Sequence, residues 1–332
     1  MNNNQNIIRI KAQVENVFEL NKKEVLYRPR EDSKSNLYVC SQVGEIIKFD
    51  EKGKYQSVLT ITGQPTCIAF DQHNEMIQDN ASNNDSITEN FYFTDVASSI
   101  IYQKKTDSEK SEVIIKDFEG KPFKGPISIA LNLEENTFIF TDAGYFSSTS
   151  MSRPFGSIYH YDIETKSLNS ILLNSLAYPY DIVMHINENM SSIYYVSETF
   201  QNRILRIIKN PKGIFQISVF YVFNGRVGPT ALTCDIFGNL YVGRYEYQNK
   251  EGTVDGLISV LNKEGNLIGE IEVPKLCEFT GLYIPKRMEE EIMENENQKP
   301  VEIDTWLYFT DKNFPGVKRI KLNQFINDIE KP

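Results

Sequence analysis

The 332-residue sequence is poor in the residues that most often announce chemistry, with four cysteines, three histidines and one tryptophan. Cys40, Cys67, Cys234 and Cys277 stand far apart with no CxxC pair, which excludes a disulfide framework of the small secreted type and a thiolate zinc site. They read as reduced thiols, and Cys40 and Cys67 fall in strand-like runs where a small buried hydrophobe is expected. His73, His160 and His185 have no metal-ligand spacing. GxSxG, GxxxxGK[ST] and GxGxxG are all missing, so neither a nucleophile elbow nor a phosphate loop is available. No apolar run reaches the length of a membrane span, and MNNNQNIIRIKAQVENVFEL lacks the parts of a secretory signal. Positive charge is also in deficit: 35 Lys and Arg stand against 45 Asp and Glu, a net charge of -10. Nucleic acid and anionic membrane are therefore excluded as partners, since both need cations to displace counterions. An intracellular, cytoplasmic protein is the expectation.

Aromatic and alternating apolar residues are plentiful, and they repeat. Short runs ending in small or acidic residues recur as NLYVCS (36–41), NFYFTD (90–95), NTFIFTD (136–142), SIYYVSE (192–198), NLYVGR (239–244) and WLYFTD (306–311). Each of the first five is followed by a second alternating run with a charged turn, as in GEIIKFDEKGK (44–54) and GSIYHYDIETK (156–166), the pattern of antiparallel hairpins. A third run opening with proline precedes four of them: PTCIAFD (65–71), PISIALN (126–132), PYDIVMH (179–185) and PTALTCD (229–235). Proline suits the start of an edge strand, where it forfeits no interior ladder bond.

Six such units at this spacing predict an all-β chain, a six-bladed β-propeller in one domain. The blades fall at about residues 20–62, 63–122, 123–174, 175–225, 226–273 and 274–332. IIRIKAQ (7–13) has strand character and is expected to close the last blade, with a mobile tail as the alternative. Polar insertions at 73–89, 145–157 and 285–304, the last with the acidic run MEEEIMENEN, are natural docking loops for protein partners.

The pattern resembles the regucalcin, gluconolactonase and strictosidine synthase-like six-bladed propellers. The segment IFTDAGYF…IYYVSETFQNRILRI (139–207) carries the likeness most specifically, and GPTALTCDIFGNLYVGRYE (228–246) resembles the gluconolactonase version. The resemblance implies one calcium ion held by side-chain oxygens of several opening strands. By register, the Glu ligand falls on Glu24, one Asn on Ile127 or Ser128, a second Asn on Tyr180 with Asp181 beside it, and the Asp on Thr230. Glu24 and Asp181 are thus the candidate metal ligands, and three of the four positions hold weakly coordinating or apolar residues. Asp95, Asp142, Glu198 and Asp311 recur from blade to blade, so they are expected to serve turns rather than a metal.

Two functions follow. The first is a non-catalytic scaffold or interaction subunit of a larger assembly, with a decayed lactonase site and no cofactor, and the sequence names no catalytic residue. The alternative is a calcium-dependent lactonase or esterase in which the ion polarises the carbonyl.

Overall fold

The computed structural model describes residues 7–50, 52–75, 88–106, 108–187, 191–210, 212–285 and 305–329. The chain divides into two compact units, Arg30–Ile182, and Met1–Pro29 with Val183–Pro332. Both divisions fall inside strands, Leu26–Glu31 and Pro179–Ile186, that open a sheet.

The unit Arg30–Ile182 is built on three sheets whose strands neighbour one another in chain order. They are Leu26–Glu31 to Tyr55–Thr60, Pro65–Glu75 to Ser111–Ile115, and Pro126–Asn132 to Ser167–Leu176. Its core is aromatic: Tyr92 packs on Phe138 at 5.3 Å, and Phe123 meets Phe140 edge-on at 5.3 Å. The other unit holds the sheets Pro179–Ile186 to Phe215–Val222, Gly228–Cys234 to Leu267–Val273, and Phe279–Tyr283 to Phe314–Lys321. A short helix, Asn323–Ile329, seals this unit with Phe325 and Ile326. The six sheets are the blades of a β-propeller, as the repeats predict.

The N-terminal segment corrects one expectation. Ile8–Lys11 does pair, but in parallel with Leu267–Val273 of the fifth blade, where Ile8 and Ile10 join an apolar cluster. The last blade is closed instead by Val14–Glu19, antiparallel to Phe314–Lys321. The insertions at 73–89 and 285–304 lie largely outside the described residues. What is described shows the flanking strands running into the first insertion as far as Glu75 and Thr88. Within the third insertion, 145–157, a single turn of 3-10 helix at Phe146–Ser148 is followed by a bridge between Ser150 and Arg153.

Two local devices explain why these sequences turn where they do. The segments DSKSNLY (32–38) and DIFGNLY (235–241) fold identically. In each, one carboxylate accepts the backbone N–H and the side-chain amide of the following Asn, and then the Tyr hydroxyl, Tyr38 at 3.2 Å and Tyr241 at 3.3 Å. The turn needs a left-handed residue before the Asn, supplied by Ser35 (φ 65°) and Gly238 (φ 83°). Glycine suits the second case, because a Cβ there would lie 2.9 Å from the His185 ring.

The second device is the recurrent Asp that ends the FTD strands. Asp95 accepts the N–H of Gln64, Ala97 and Ser98; Asp142 that of Lys124 and Gly125; Asp311 that of Glu278 and Asn313. Each clasps the end of the second strand to the residue before the opening strand of its own blade. Glu198 in the fourth blade pairs instead with Arg203 at 2.7 Å. The recurrent acids therefore serve blade construction.

Burial pushes the Asp311 carboxyl up to about 6, and the neighbouring Glu278 charge adds to the rise. Because the folded value lies above the unfolded one, this group's favourable contribution is full below pH 4 or so. It is lost as pH rises through about 6, a change of about 3 kcal/mol at most. Urea unfolding between pH 4 and 7 is expected to show that loss, and Asp311→Asn, which does not titrate, should flatten it.

Candidate functional site

Four opening strands bulge at the same point. The ladder slips between Pro65 and Cys67, Pro126 and Ser128, Pro229 and Leu232, and Phe279 and Gly281. A bulge re-aims a side chain, and the positions so treated are Thr66, Ile127, Thr230 and Thr280.

Hydroxyls at or opposite these bulges bond to the next blade. In the Arg30–Ile182 unit the Thr66 and Thr94 hydroxyls lie 2.9 Å apart, and both reach the carbonyl of Ile127, at 2.9 and 3.1 Å. In the other unit Ser197 donates to the Thr230 carbonyl at 2.6 Å, Thr230 to the Phe279 carbonyl at 3.0 Å, and Thr280 to the Leu26 carbonyl at 2.6 Å. Hydroxyls of the opening and second strands, Thr94 of one FTD run among them, thus act as stitches between blades.

The third blade breaks this rule. Ser128 donates to a side chain, the Asp181 carboxylate, at 2.6 Å, and the Ile182 N–H lies 3.1 Å from the same oxygen. Thr141 stands directly opposite Ser128 in the ladder, and its buried hydroxyl has no hydrogen-bond partner. Ser128, Thr141 and Asp181 are all fully enclosed. Several buried side-chain polar atoms among the described residues lack a partner, the Thr137 and Ser259 hydroxyls included, and the Thr141 hydroxyl is the one opposite the Ser128 that pairs with Asp181. Tyr180, next in the strand, stacks loosely on Tyr178, whose φ of 64° is rare for a bulky residue.

The other sequence-predicted positions lie elsewhere or are otherwise engaged. Ile127 contributes its carbonyl to the stitch, and its side chain is buried. Thr230 likewise spends its hydroxyl on Phe279. Glu24 is buried in the unit that holds Thr230, with the Lys22 ammonium 3.8 Å from its carboxylate. The structure thus brings Ser128 together with Asp181, while Thr141 and its unused hydroxyl were missed. The signal was present, since Thr141 belongs to an FTD run, but a repeated residue gives no hint of the one copy that lacks its partner.

A calcium ion takes six to eight oxygens, usually from several carboxylates. No group of three His, Cys, Asp or Glu side chains able to hold a metal occurs among the described residues. The Ser128 hydroxyl and Asp181 carboxylate satisfy each other, and the Thr230 hydroxyl is committed to a carbonyl. The residues present do not fit the four-ligand set that the resemblance implies.

No protein-family model matches the sequence. Over 172 residues the chain is 28% identical to a curated protein named lactonase drp35, from Staphylococcus haemolyticus (strain JCSC1435). That match takes in 49% of each chain, so this chain spans about half the length of the curated relative it matches. A solved structure assigned as a gluconolactonase superposes with a TM-score of 0.65 at 13% identity, covering 95% of this chain and 93% of the other. The chain thus shares the six-bladed propeller fold of that gluconolactonase-type structure and is similar in sequence, over half its length, to a lactonase. Virginiamycin B lyase from Staphylococcus aureus, crystallised as an inactive variant with quinupristin, shares the fold with a TM-score of 0.57 at 14% identity over 94% of this chain and all of the other.

These likenesses overturn the non-catalytic scaffold reading, which nothing in them supports. That reading equated loss of metal-ligand side chains with loss of chemistry, although Ser128 and Asp181 remain paired and buried on opening strands, with Thr141 on the second strand of the third blade. The expectation about membranes narrows to one fact: no helix among the described residues is long and apolar enough to cross one.

Stability should separate the stitched threonines from the orphan. Thr94→Val is expected to cost about 1 kcal/mol, the usual net value of one hydrogen bond. Thr141→Val should be neutral or stabilising in the same urea titration, because no bond is lost.

Proposed function

We propose that the chain hydrolyses lactones or related esters at the Ser128, Thr141 and Asp181 cluster. The observation that carries the reading is the likeness to a lactonase across half the chain, and the orphan Thr141 hydroxyl opposite Ser128 supports the choice of this cluster.

A water at this cluster would find an acceptor in the Asp181 carboxylate and an unused hydroxyl in Thr141. The water oxygen forms a bond to the acyl carbon while Asp181 takes its proton. When the bond from acyl carbon to ring oxygen breaks, that proton passes to the departing alkoxide, leaving a hydroxy acid. Ser128 holds the carboxylate in one orientation by its 2.6 Å bond, the role a positioning residue plays beside a general base.

General-base catalysis is worth roughly 10²–10⁴ in rate. Asp181→Asn should lower kcat on a simple lactone by about that factor with an unchanged melting temperature, and Thr141→Val should lower it while leaving stability intact or improved. Turnover should persist in excess chelator, and millimolar calcium should not raise the melting temperature. Full activity in Asp181→Asn would remove this cluster from the reaction, and strict calcium dependence would restore the metal-centred alternative.

A further inference from the structure

Two neighbouring cations in the unit Val183–Pro332 pair with no carboxylate among the described residues. Arg226 lies in the turn from the outer strand of the fourth blade, Phe215–Val222, to the opening strand of the fifth, Gly228–Cys234. Arg244 is the last residue but one of that blade's second strand, Leu240–Tyr245. The backbone draws the two together, since the Val227 N–H donates to the Tyr245 carbonyl at 3.1 Å. Side chains tighten the junction. Nη2 of Arg244 donates to the Asn224 and Gly225 carbonyls, both at 3.0 Å, so its guanidinium sits against the peptide that leads into Arg226. The same guanidinium lies 4.0 Å from the centre of the Phe223 ring.

Arg244 is only 4% exposed, and its Nε has no hydrogen-bond partner. Arg226 is half-buried; its Nη2 donates to the Asp255 carbonyl at 3.0 Å, while its Nη1 is enclosed and unpartnered. The acids nearby serve other cations. The Asp255 carboxylate lies 3.7 Å from the Lys11 ammonium and accepts the Lys275 N–H at 2.8 Å. Glu270, whose charge reaches Arg244 at longer range, bonds to Arg9 at 2.8 Å. Enclosed polar atoms without partners occur elsewhere among the described residues, but this pair sets two permanent charges of one sign side by side.

A guanidinium does not shed its proton at neutral pH, so enclosing two of them is costly until an anion completes the set. Burial, with the Arg226 charge adding to it, already pushes the Arg244 guanidinium down to about 10. Two positive charges call for a dianion, and the planar N–H forks of arginine match the oxygens of a phosphate group. Room exists on the solvent side: Asn224 and Gly225 are exposed, and a Cβ at Gly225 would meet no atom within 4 Å.

We propose that Arg226 and Arg244 form a phosphate-binding site at the seam of the fourth and fifth blades, taking inorganic phosphate or the dianionic head of a small phosphomonoester. The site does not depend on the lactonase reading and shares no residue with the Ser128, Thr141 and Asp181 cluster.

Titration calorimetry on the full chain at about pH 7.5, with ionic strength held constant by sodium chloride, compares phosphate, glycerol 2-phosphate and malonate, a dicarboxylate of equal charge. Phosphate is expected to bind and to raise the melting temperature in a saturable way. In Arg226→Gln its affinity should fall about tenfold, the effect of losing one charge-assisted hydrogen bond, and Arg226→Lys, which keeps the charge without the fork, should lie between. Arg244→Gln should show a similar loss; Arg226 is half-exposed, so its variants keep the test valid if Arg244→Gln folds poorly. Glycerol 2-phosphate binding as well as phosphate assigns the site to a monoester head, and binding of phosphate alone assigns it to the free ion; both support the proposal. Three results would overturn it: no binding of either phosphate compound to the wild type, undiminished affinity in Arg226→Gln, or malonate bound as tightly as phosphate. Lactone turnover is measured apart from these titrations, so failure of the one leaves the other standing.

Discussion

An opening strand in this fold is an edge strand, with one side paired in its own sheet and the other turned to the next blade. Its backbone carbonyls on that side are buried and must be satisfied, because an unmet buried acceptor costs about 1–3 kcal/mol. The protein answers with hydroxyl side chains. Thr66 and Thr94 serve Ile127, Ser197 serves Thr230, Thr230 serves Phe279, and Thr280 serves Leu26. The bulge recurs because it aims these side chains out of their own ladder. Opening prolines fit the same scheme, since the first residue of an edge strand loses no ladder bond.

This requirement competes directly with metal binding. A side chain at the bulge can donate to a neighbouring carbonyl or present oxygen to an ion, and a Thr hydroxyl has one proton and modest donor strength for either task. At Thr230 the structural use has won. Where an acidic group was retained, at Asp181, the stitch was altered: Ser128 turns to the carboxylate, and Thr141 is left without a partner. The orphan Thr141 hydroxyl thus stands in the blade where Ser128 turns to the Asp181 carboxylate. Local instability beside a functional group is a familiar compromise.

Repeats made the fold legible, because they expose what every blade needs: an alternating apolar pattern, a turn Asp and a Thr before it. The same property hid the site. Thr141 and Thr94 occupy the same place in their FTD runs, and only the partner across the blade boundary distinguishes them. Register error of one residue also mattered, since it moved attention between Ile127 and Ser128, and between Tyr180 and Asp181, residues whose side chains point to opposite faces of a strand. The N-terminal strand was misplaced for a related reason. Ile8 and Ile10 carry an alternating pattern that any exposed edge could accept, and the choice of the fifth blade is made by packing against its cluster, which no local pattern records.

The reaction was less legible than the fold because a propeller blade does not specify chemistry. A lyase and a gluconolactonase-type protein share the architecture with this chain at 14% and 13% identity. Asp181 is fully buried and held by Ser128 and the Ile182 N–H, and Thr141 has a buried hydroxyl that stitches nothing. Thr141 departs from the pattern of Thr94, and such a departure is legible only where a rule is repeated often enough to be known.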